Sequence, residues 1–476
     1  MICTTCGKTA DPVEFTKTNR SKDGKRAMCK QCKAIRDANF QKRKKESDNS
    51  LPYFNLTPDR LTRSVQSCRI GVLVLKNHTD RETDINKTYF QKPNQGMAAI
   101  LSELKEPHEY CGPETINNYE YVLLSLNSVL DIENLIYSIE RFAPQNRTAK
   151  IIAGGFGLCN VKLIKDYIDI AVFGRAEGQI NDIIFGFRFP NVWRKVDDPG
   201  ITGDYEFRRP RYLVDGETSV GCRNKCAYCQ YTWIRPQLIK GEKYQPGKTM
   251  HTQETDWNGL IVDKPGRYNT AWDGWSEASR RKVHKPVTNA DIADKLVNIG
   301  NAGHNGTVYL SIYQIVGYPW ETEESTLQDI RDVGSMLAGI DKQIDGSITI
   351  QFVCTPFSPE PMTPMQYEPA NISTNWRFLC NLSVCKGSNI TAFIGPMIGG
   401  PFALMKRVMT YRAEADGIDM FKRIAFNSKL NGMAEQNKVS FLIKHGYIDA
   451  AMFGKIDHSA FDYLSVEPIV RPPGGG

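Results

Sequence analysis

The segment Ser219-Val-Gly-Cys222-Arg-Asn-Lys-Cys226-Ala-Tyr-Cys229-Gln carries three cysteines in a C-x3-C-x2-C pattern. Three thiolates at this spacing can each bind one iron of a 4Fe–4S cubane, which leaves the fourth iron without a protein ligand. A zinc site that awaits a fourth ligand is the alternative, but the spacing favours iron. The pattern therefore predicts a 4Fe–4S cluster with one open position, held by Cys222, Cys226 and Cys229.

The same segment resembles the cysteine loop of the radical S-adenosylmethionine (SAM) superfamily, in which an aromatic residue such as Tyr228 usually precedes the third cysteine. A strand predicted at 215–220 leads into it, as at the first strand of that family's partial β/α barrel. The resemblance implies that SAM chelates the open iron and that one electron from the cluster breaks its C–S bond. The resulting 5′-deoxyadenosyl radical abstracts a hydrogen atom from the substrate. An electron donor such as a flavodoxin or ferredoxin is also implied.

Two later segments extend the resemblance. Residues 273–280, DGWSEASR, resemble the family's mid-barrel segment near SAM, with Ser276 and Arg280 at its polar positions. Residues 315–323, IVGYPWETE, resemble a later strand-end motif, with Gly317 where the backbone packs near adenine. The family's Gly-Gly-Glu motif, which grips the SAM amino group, is absent after the cysteines. That contact is therefore unassigned.

Glu321 and Glu323 within the second segment have a simpler explanation. Acidic residues are common in the first turn of a helix, where the helix dipole stabilises their charge. Both interpretations stay open for these two residues.

Residues 66–195 resemble the cobalamin-binding domain that precedes the barrel in one subgroup of the superfamily. The resemblance rests on short motifs at 125–128, 153–157 and 172–178. Glycines at the carboxyl end of a strand let a ligand approach the backbone, so Ser125, Gly154 and Gly155 are predicted cofactor contacts. In many such domains an Asp-x-His-x-x-Gly motif supplies the histidine that binds cobalt. That motif is absent here, and the sequence around His78 does not fit it. Cobalamin binding and tight packing without a ligand both stay open.

Four further cysteines lie near the N-terminus, as Cys3-x2-Cys6 and Cys29-x2-Cys32 separated by 22 residues. This is the spacing of a four-cysteine Zn²⁺ site, which folds segments too short for a core of their own. The stretch resembles small modules at the start of phage homing-type nucleases. No nuclease follows, because the histidine that such enzymes need is missing and the first histidine is His78.

The zinc module is also basic. Residues 1–46 contain thirteen Lys or Arg and five Asp or Glu, a local surplus of eight, whereas the whole chain has a net charge of +7. The remainder is therefore nearly neutral. We expect the module to contact nucleic-acid phosphates without reading bases. A solvated charged surface and a protein-docking role are the alternatives.

A chain of 476 residues is too long for one ordinary core. No apolar run could span a bilayer, and no signal peptide is visible, so we expect a cytoplasmic protein with no membrane partner. In that reducing compartment the thirteen cysteines are metal ligands or buried side chains, and packing is the expected role of Cys354, Cys380 and Cys385.

Apolar periodicity predicts the elements of the body. Strands are expected at 69–75, 121–126, 150–153, 307–315 and 347–353, and helices at 97–104, 132–142, 288–301 and 322–338. The predicted fold is α/β. Its predicted parts are a zinc module at 1–46, a Rossmann-like cobalamin-binding-like domain at 66–195, a partial (β/α) radical SAM barrel at 205–405 and a helical extension at 406–476.

Three functions fit these observations. The first is a radical SAM enzyme that methylates or otherwise functionalises a nucleic-acid base, a transferase delivered by the zinc module. The second is a radical SAM enzyme acting on a small molecule or peptide. The third is a non-catalytic nucleic-acid-binding protein with a structural cluster. SAM cleavage separates the first two from the third, and salt-sensitive DNA or RNA binding separates the first from the second.

Overall fold

The computed structural model describes a defined part of the chain. The described residues are 70–76, 95–129, 131–210, 213, 219–222, 224–235, 239–240, 255–302, 306–397, 399–413, 417–430, 432–456 and 464–466. The chain divides into Met1–Gln66 and Ser67–Gly476, and every described residue belongs to the second unit. His78 and the four cysteines of the predicted zinc module lie outside the described residues, so those predictions are untested.

No helix in these ranges has both the length and the apolar character that a membrane crossing requires.

Six strands form the first sheet. They are β1 Ile70–Leu73, β2 His108–Cys111, β3 Tyr121–Ser125, β4 Lys150–Gly154, β5 Ile170–Val172 and β6 Val192–Arg194. Their order is β2-β1-β3-β4-β5-β6, and only β6 runs antiparallel to its neighbour. The apolar runs had predicted β1, β3 and β4. β5 and β6 escaped prediction because they are only three residues long, and β2 (HEYC) because it is mostly polar.

Helices cover both faces of this sheet, as the sequence predicted. They are α1 Gln95–Glu103, α2 Asp131–Phe142, α3 Val161–Ile164 and α4 Ile180–Ile184. Successive side chains of a strand point to opposite faces. Leu124 accordingly joins a core with residues of α2 and α3, whereas Leu123 joins a second core with residues of α1 and α4.

Four short elements come before and after the three cysteines in the sequence. They are β7 Tyr205–Phe207, β8 Ser219–Val220, α5 Gln230–Ile234 and β9 Ile239–Lys240. The strand predicted at 215–220 is described only at its end, β8, which pairs antiparallel with β9. In the described ranges β8 does not join a larger parallel sheet, so barrel closure at this strand is not part of the observed topology. β7 pairs in parallel with Leu464–Val466.

A second sheet forms the other half of the described body. Its strands are β10 Thr255–Asp256, β11 Gly266–Ala271, β12 Thr307–Val316, β13 Ser347–Pro356, β14 Ser383–Lys386 and β15 Ile390–Ile394. Their order is β10-β11-β12-β13-β15-β14, with only β14 antiparallel. Two parallel-dominated sheets confirm the predicted α/β class.

The helices of the second half are α6 Glu277–Lys282, α7 Asn289–Ala302 and α8 Glu323–Asp341. The predictions at 288–301 and 322–338 match α7 and α8 closely. Burial alternates along β12: Val308 and Leu310 are buried in the core that α7 and α8 share, whereas Tyr309 and Ser311 are partly exposed. The core of this sheet therefore lies on one face.

The helical segment predicted after residue 405 begins at 401. Its helices are α9 Pro401–Arg412, α10 Ile418–Ala425 and α11 Glu435–Lys444. They pack into the core of the first sheet, with Met405 and Val408 fully buried there. The buried Asn160 amide donates to the carbonyl oxygens of Thr410 (2.9 Å) and Ala413 (2.8 Å). The C-terminal helices thus complete the first sheet rather than extend the second.

Candidate metal centre

The cysteine loop, residues 222–229, lies at the carboxyl edge of the second sheet. The Ala227 N–H donates to the Val283 carbonyl (2.9 Å), and the Ala227 carbonyl accepts from the Met365 N–H (3.2 Å). The Tyr228 ring lies 6.2 Å from that of Tyr318, which follows β12 by two residues. The carboxyl edge of parallel strands is where α/β proteins bind ligands. The loop therefore lies at the edge of the sheet where a ligand-binding site is expected.

The helix after the cysteines holds the loop in shape. The Cys222 N–H donates to the Arg235 carbonyl (3.0 Å), and the Trp233 indole N–H donates to the Cys226 carbonyl (2.9 Å). The N–H of Gln230, the first residue of α5, donates to a Glu360 carboxylate oxygen (3.1 Å). Through Gln230, these contacts connect the cysteine loop to the carboxylate of Glu360, which lies 130 residues further along the chain.

The three thiols are unbonded, with Cys226 buried and Cys222 and Cys229 partly exposed. Burial raises the pKa of Cys226 to about 11 and that of Cys229 to about 12, and repulsion between neighbouring thiolates adds to both shifts. A bound cation reverses this situation, because it stabilises the deprotonated thiol directly.

The donor set fits an iron–sulfur cluster in its chemistry. Soft thiolates select iron–sulfur clusters or zinc over hard cations. Among the described residues, no three His, Cys, Asp or Glu side chains already converge as a metal site. The fit is therefore one of ligand type, because three thiols lie on one loop and the charge of Cys226 would act on Cys229 as that of Cys222 would act on Cys226.

An ion pair that sequence inspection missed lies beside the loop. Lys285 Nζ is 2.5 Å from Asp273 Oδ2, and both side chains are largely buried. The electrostatic influence of both groups reaches Cys226. The backbone carbonyl oxygen of Asp273 accepts a hydrogen bond from the Tyr318 hydroxyl (2.7 Å). The side chain of Asp273 forms a hydrogen bond with that of Tyr228. Burial, followed by the Asp273 charge, raises the pKa of Tyr228.

The backbone of Asp273 is itself unusual. Its φ is +58°, a left-handed conformation that non-glycine residues rarely adopt and that clusters at functional sites. Asp273 stands two residues after β11, inside the quoted 273–280 segment. Its position at a strand end could have marked it in the sequence as a candidate site residue. The pairing with Lys285 could not be predicted from the sequence, because only the fold brings the two residues together.

Glu321 joins two loops at the same edge. Its carboxylate accepts the N–H groups of Gly317 (2.9 Å) and Tyr318 (3.2 Å) and the Ser279 hydroxyl (3.1 Å). Burial raises its pKa to about 7. Since α8 begins at Glu323, the helix-dipole explanation applies to Glu323 but not to Glu321.

The three residues predicted to lie near SAM are packed into this framework. Ser276 caps α6 by accepting the Ser279 N–H (3.2 Å). Arg280 is fully buried and donates to carbonyl oxygens of the loop before α6 (2.9 Å). Gly317 has φ +76°, and a Cβ there would lie 2.7 Å from the Trp376 indole nitrogen. Each has a structural role in shaping the edge, and direct contact with SAM stays a prediction.

The structure brings the predicted contacts of the first sheet together at its carboxyl edge. Ser125 and Gly154 are register partners on β3 and β4, and the Leu126 N–H donates to the Gly154 carbonyl (2.8 Å). Gly155 has φ +102°, and a Cβ there would lie 2.4 Å from the Leu126 carbonyl oxygen. Packing therefore explains Gly155. It does not explain Gly154, whose Cβ would meet only the Val172 oxygen, at 3.8 Å.

The two edges meet. The Arg235 guanidinium, directly after α5, lies over the ring of Phe156 (5.5 Å), which follows Gly155. Ile234 of α5 is fully buried in the core of the first sheet. The short helix α5 thus joins the cysteine loop to the loop of the first sheet that contains Gly155 and Phe156.

Comparison with known proteins gave limited similarity. No protein-family model matches the chain, and no curated protein matches it. The solved structure of the cobalamin-dependent S-adenosylmethionine radical enzyme OxsB with aqua-cobalamin is 13% identical over 80% of this chain, with a TM-score of 0.27. The forms with aqua-cobalamin and SAM, and without ligand, are also 13% identical, with TM-scores of 0.22 and 0.20.

The chain spans 56% of the length of the first two OxsB structures and 62% of the third. TM-scores below 0.5 do not establish a common fold. The family of the chain is therefore not established by these similarities.

Proposed function

We propose that the chain is a radical SAM enzyme that methylates or otherwise functionalises a C–H bond of a nucleic-acid base. The observation that carries this proposal is the position of three thiols, Cys222, Cys226 and Cys229, on one loop at the carboxyl edge of a parallel sheet. A 4Fe–4S cluster held by these three cysteines would supply the electron for the reductive cleavage of the C–S bond of SAM. A flavodoxin or ferredoxin is the proposed source of that electron.

The chain's own residues fix this edge. Helix α5 holds the loop through Cys222 and Cys226. The Asp273–Lys285 pair and Tyr228 seat it against β11 and β12, which shields Cys226 from water while Cys222 and Cys229 are partly exposed. Glu321 ties the loop after β12 to α6. Shielding matters because a reactive intermediate must not meet solvent.

The finer fold assignments form part of the proposal. We assign the second sheet to a partial radical SAM barrel and the first to a Rossmann-like cobalamin-binding domain. The contact of Arg235 with Phe156 supports this pairing, because it would place a cofactor at Ser125, Gly154 and Gly155 next to the cysteine loop. The unexplained glycine at 154 fits a ligand approaching the backbone.

The nucleic-acid substrate is proposed from the basic segment 1–46 and its paired cysteines, Cys3, Cys6, Cys29 and Cys32, which would bind Zn²⁺. A nearly neutral body with a strongly basic module is suited to phosphate contacts. SAM cleavage without salt-sensitive nucleic-acid binding would instead favour a small-molecule or peptide substrate.

Anaerobic reconstitution with iron, sulfide and SAM tests the assignment. We expect the wild-type protein to develop the brown absorbance of a cluster and, once reduced, to release 5′-deoxyadenosine. Cys226→Ala should lose both, because two thiolates hold a cubane poorly. Cys354→Ala, which alters a buried cysteine of β13, is the matched control and should keep both. Wild-type 5′-deoxyadenosine release by Cys226→Ala would overturn the assignment. Mass spectrometry of nucleosides then identifies the modified base.

A further inference from the structure

The face of the second sheet opposite α7 and α8 is polar, which is unusual for a parallel sheet. Along β12 the side chains of Val308, Leu310 and Ile312 are at most 1% exposed, whereas Tyr309 is 44% exposed. The strand β13 alternates in the same way. We call this second surface the open face. Its positions are Asp256, Arg267, Asn269, Ala271, Thr307, Tyr309, Ser311, Tyr313, Ile315, Ser347, Thr349, Gln351, Val353, Thr355, Ser383, Lys386, Thr391 and Phe393.

Strand register arranges the open face in rows. Asn269, Ser311 and Gln351 are register partners, so an amide, a hydroxyl and a second amide lie side by side. The next row toward the amino ends begins with Arg267 and Tyr309, and the Arg267 guanidinium lies 5.3 Å from the Tyr309 ring centroid. Adjacent rows are two residues apart, about 6.6 Å along the strands.

The chemistry of the open face is selective. It offers amides, hydroxyls, two tyrosines, one phenylalanine and two cations, Arg267 and Lys386, and its one carboxylate, Asp256, lies on the edge strand β10. Amides pair with the donors and acceptors of nucleobase edges, and aromatic rings stack on base planes. A surface with two cations and one carboxylate at its edge suits an anionic ligand rather than a cationic one.

Gln351 is given room by its surroundings. A Cβ at Gly395 would lie 2.3 Å from Gln351 Nε2 and 2.9 Å from its Cγ, so only glycine there leaves the amide in place. Within the described ranges, the hydrogen bonds of the structure do not include the side chains of Asn269 or Gln351. Both amides therefore keep their donors and acceptors for a ligand.

The open face leads to the cysteine loop. Ile315, its last position on β12, packs with Ala227 and Tyr228 in a small apolar cluster, apart from the core under α7 and α8. Tyr313 lies one row before Ile315, and the Asn269–Gln351 row lies one row further. A flat ring on these rows would place an atom of its edge near the cysteine loop.

We propose that the open face binds a nucleobase carrying a phosphate, as the substrate of the reaction at the cysteine loop. The base stacks on Tyr313, and the amides of Asn269 and Gln351 bind its edge. Its phosphate lies toward Arg267. The inference rests on the proposed function, since it names the substrate class of that site.

Binding of each of the four ribonucleoside 5′-monophosphates and 2′-deoxyribonucleoside 5′-monophosphates to the full chain, by equilibrium dialysis, tests the inference without any cluster. We expect at least one to bind, and Asn269→Ala and Gln351→Ala each to weaken its binding about tenfold. Gln328→Ala, the same change as Gln351→Ala on the exposed side of α8, is the matched control and should bind as the wild type does. Circular dichroism should show all three variants to be folded.

Arg267→Gln separates base from phosphate. It should weaken binding of the monophosphate several-fold and leave the affinity for the free nucleoside unchanged. A wild-type protein that cleaves SAM but binds none of the monophosphates would overturn the inference and leave the proposed function intact. Nucleotide binding that resists Asn269→Ala and Gln351→Ala would also overturn it. Nucleotide binding on this face by a reconstituted protein that cannot cleave SAM would instead refute the proposed function.

Discussion

The two sheets differ in how many of their faces are buried. In the first sheet, Val122, Leu123 and Leu124 are consecutive and each is at most 2% exposed, because helices cover both sides. In the second sheet, burial alternates along β12 and β13, and except for Gln314 their hydroxyl, amide and tyrosine side chains lie on the open face. A parallel sheet ordinarily buries both faces. A sheet that keeps one face polar is therefore a candidate ligand surface. The alternation of apolar and polar residues along its strands indicates such a sheet in the sequence.

Each half of the molecule also has a buried ion pair, Lys406–Glu133 between the helices α9 and α2 in the first and Lys285–Asp273 at the edge of the second sheet. Removing the cation from a buried pair leaves an uncompensated carboxylate, which costs about 3–5 kcal/mol of unfolding free energy. We expect this loss for both Lys285→Met and Lys406→Met in denaturant titrations. Only Lys285→Met should also slow cluster assembly, followed by absorbance, since only that pair lies beside Cys226. Equal effects on assembly would show that the pair acts through stability alone.

Neighbouring alanine substitutions compare the faces directly. In the first sheet, Leu123→Ala and Leu124→Ala should each lower the free energy of unfolding by about 2–5 kcal/mol, because both side chains leave cavities in packed cores. In the second sheet, Leu310→Ala should cost the same, whereas Ser311→Ala should change it by about 0.5 kcal/mol or less. A large loss for Ser311→Ala would mean that the open face is covered in solution.

The pH dependence of stability should report on Glu321. Its pKa in the folded protein, about 7, lies above the ordinary value of 4.5, so the folded state binds the proton more tightly than the unfolded state. Stability contributed by this group is therefore present below about pH 4.5 and is lost as pH rises toward 7. The loss is on the order of 3 kcal/mol. Glu321→Gln cannot titrate, so the wild-type minus variant difference should fall over that range. A flat difference would contradict the shift.

The smallest expected effect concerns the body against the basic segment 1–46. With about four to six phosphate contacts, log affinity for nucleic acid should fall with log salt at a slope near −3 to −5. Deleting 1–46 should remove most of that slope and the bound zinc, while 5′-deoxyadenosine release without substrate stays nearly unchanged. The same slope after deletion would assign the phosphate contacts to the body and remove the delivery role of the module.

Much of the fold could be predicted because its signals are local. Apolar runs located β1, β3, β4, β12 and β13, and the helices α2, α7 and α8 agree with their predicted limits to within three residues. β5 and β6 escaped because three residues carry too little pattern, and β2 escaped because its residues are mostly polar. The cysteine spacing also marked the loop at 222–229 as a candidate site, and its binding of iron stays a prediction.

The tertiary structure decided what depends on distant parts of the chain. Residues 250 or more positions apart meet where Asn160 binds the C-terminal helices. The need for glycine at 155 arises from the Leu126 carbonyl, and the partner of Asp273 is set by a turn that brings Lys285 back to β11. The sequence by itself determined which residues are the proposed iron ligands, because ligand chemistry and spacing are local. Which carboxylates, amides and rings surround them was decided only by folding, because such contacts follow from the packing of whole sheets and helices.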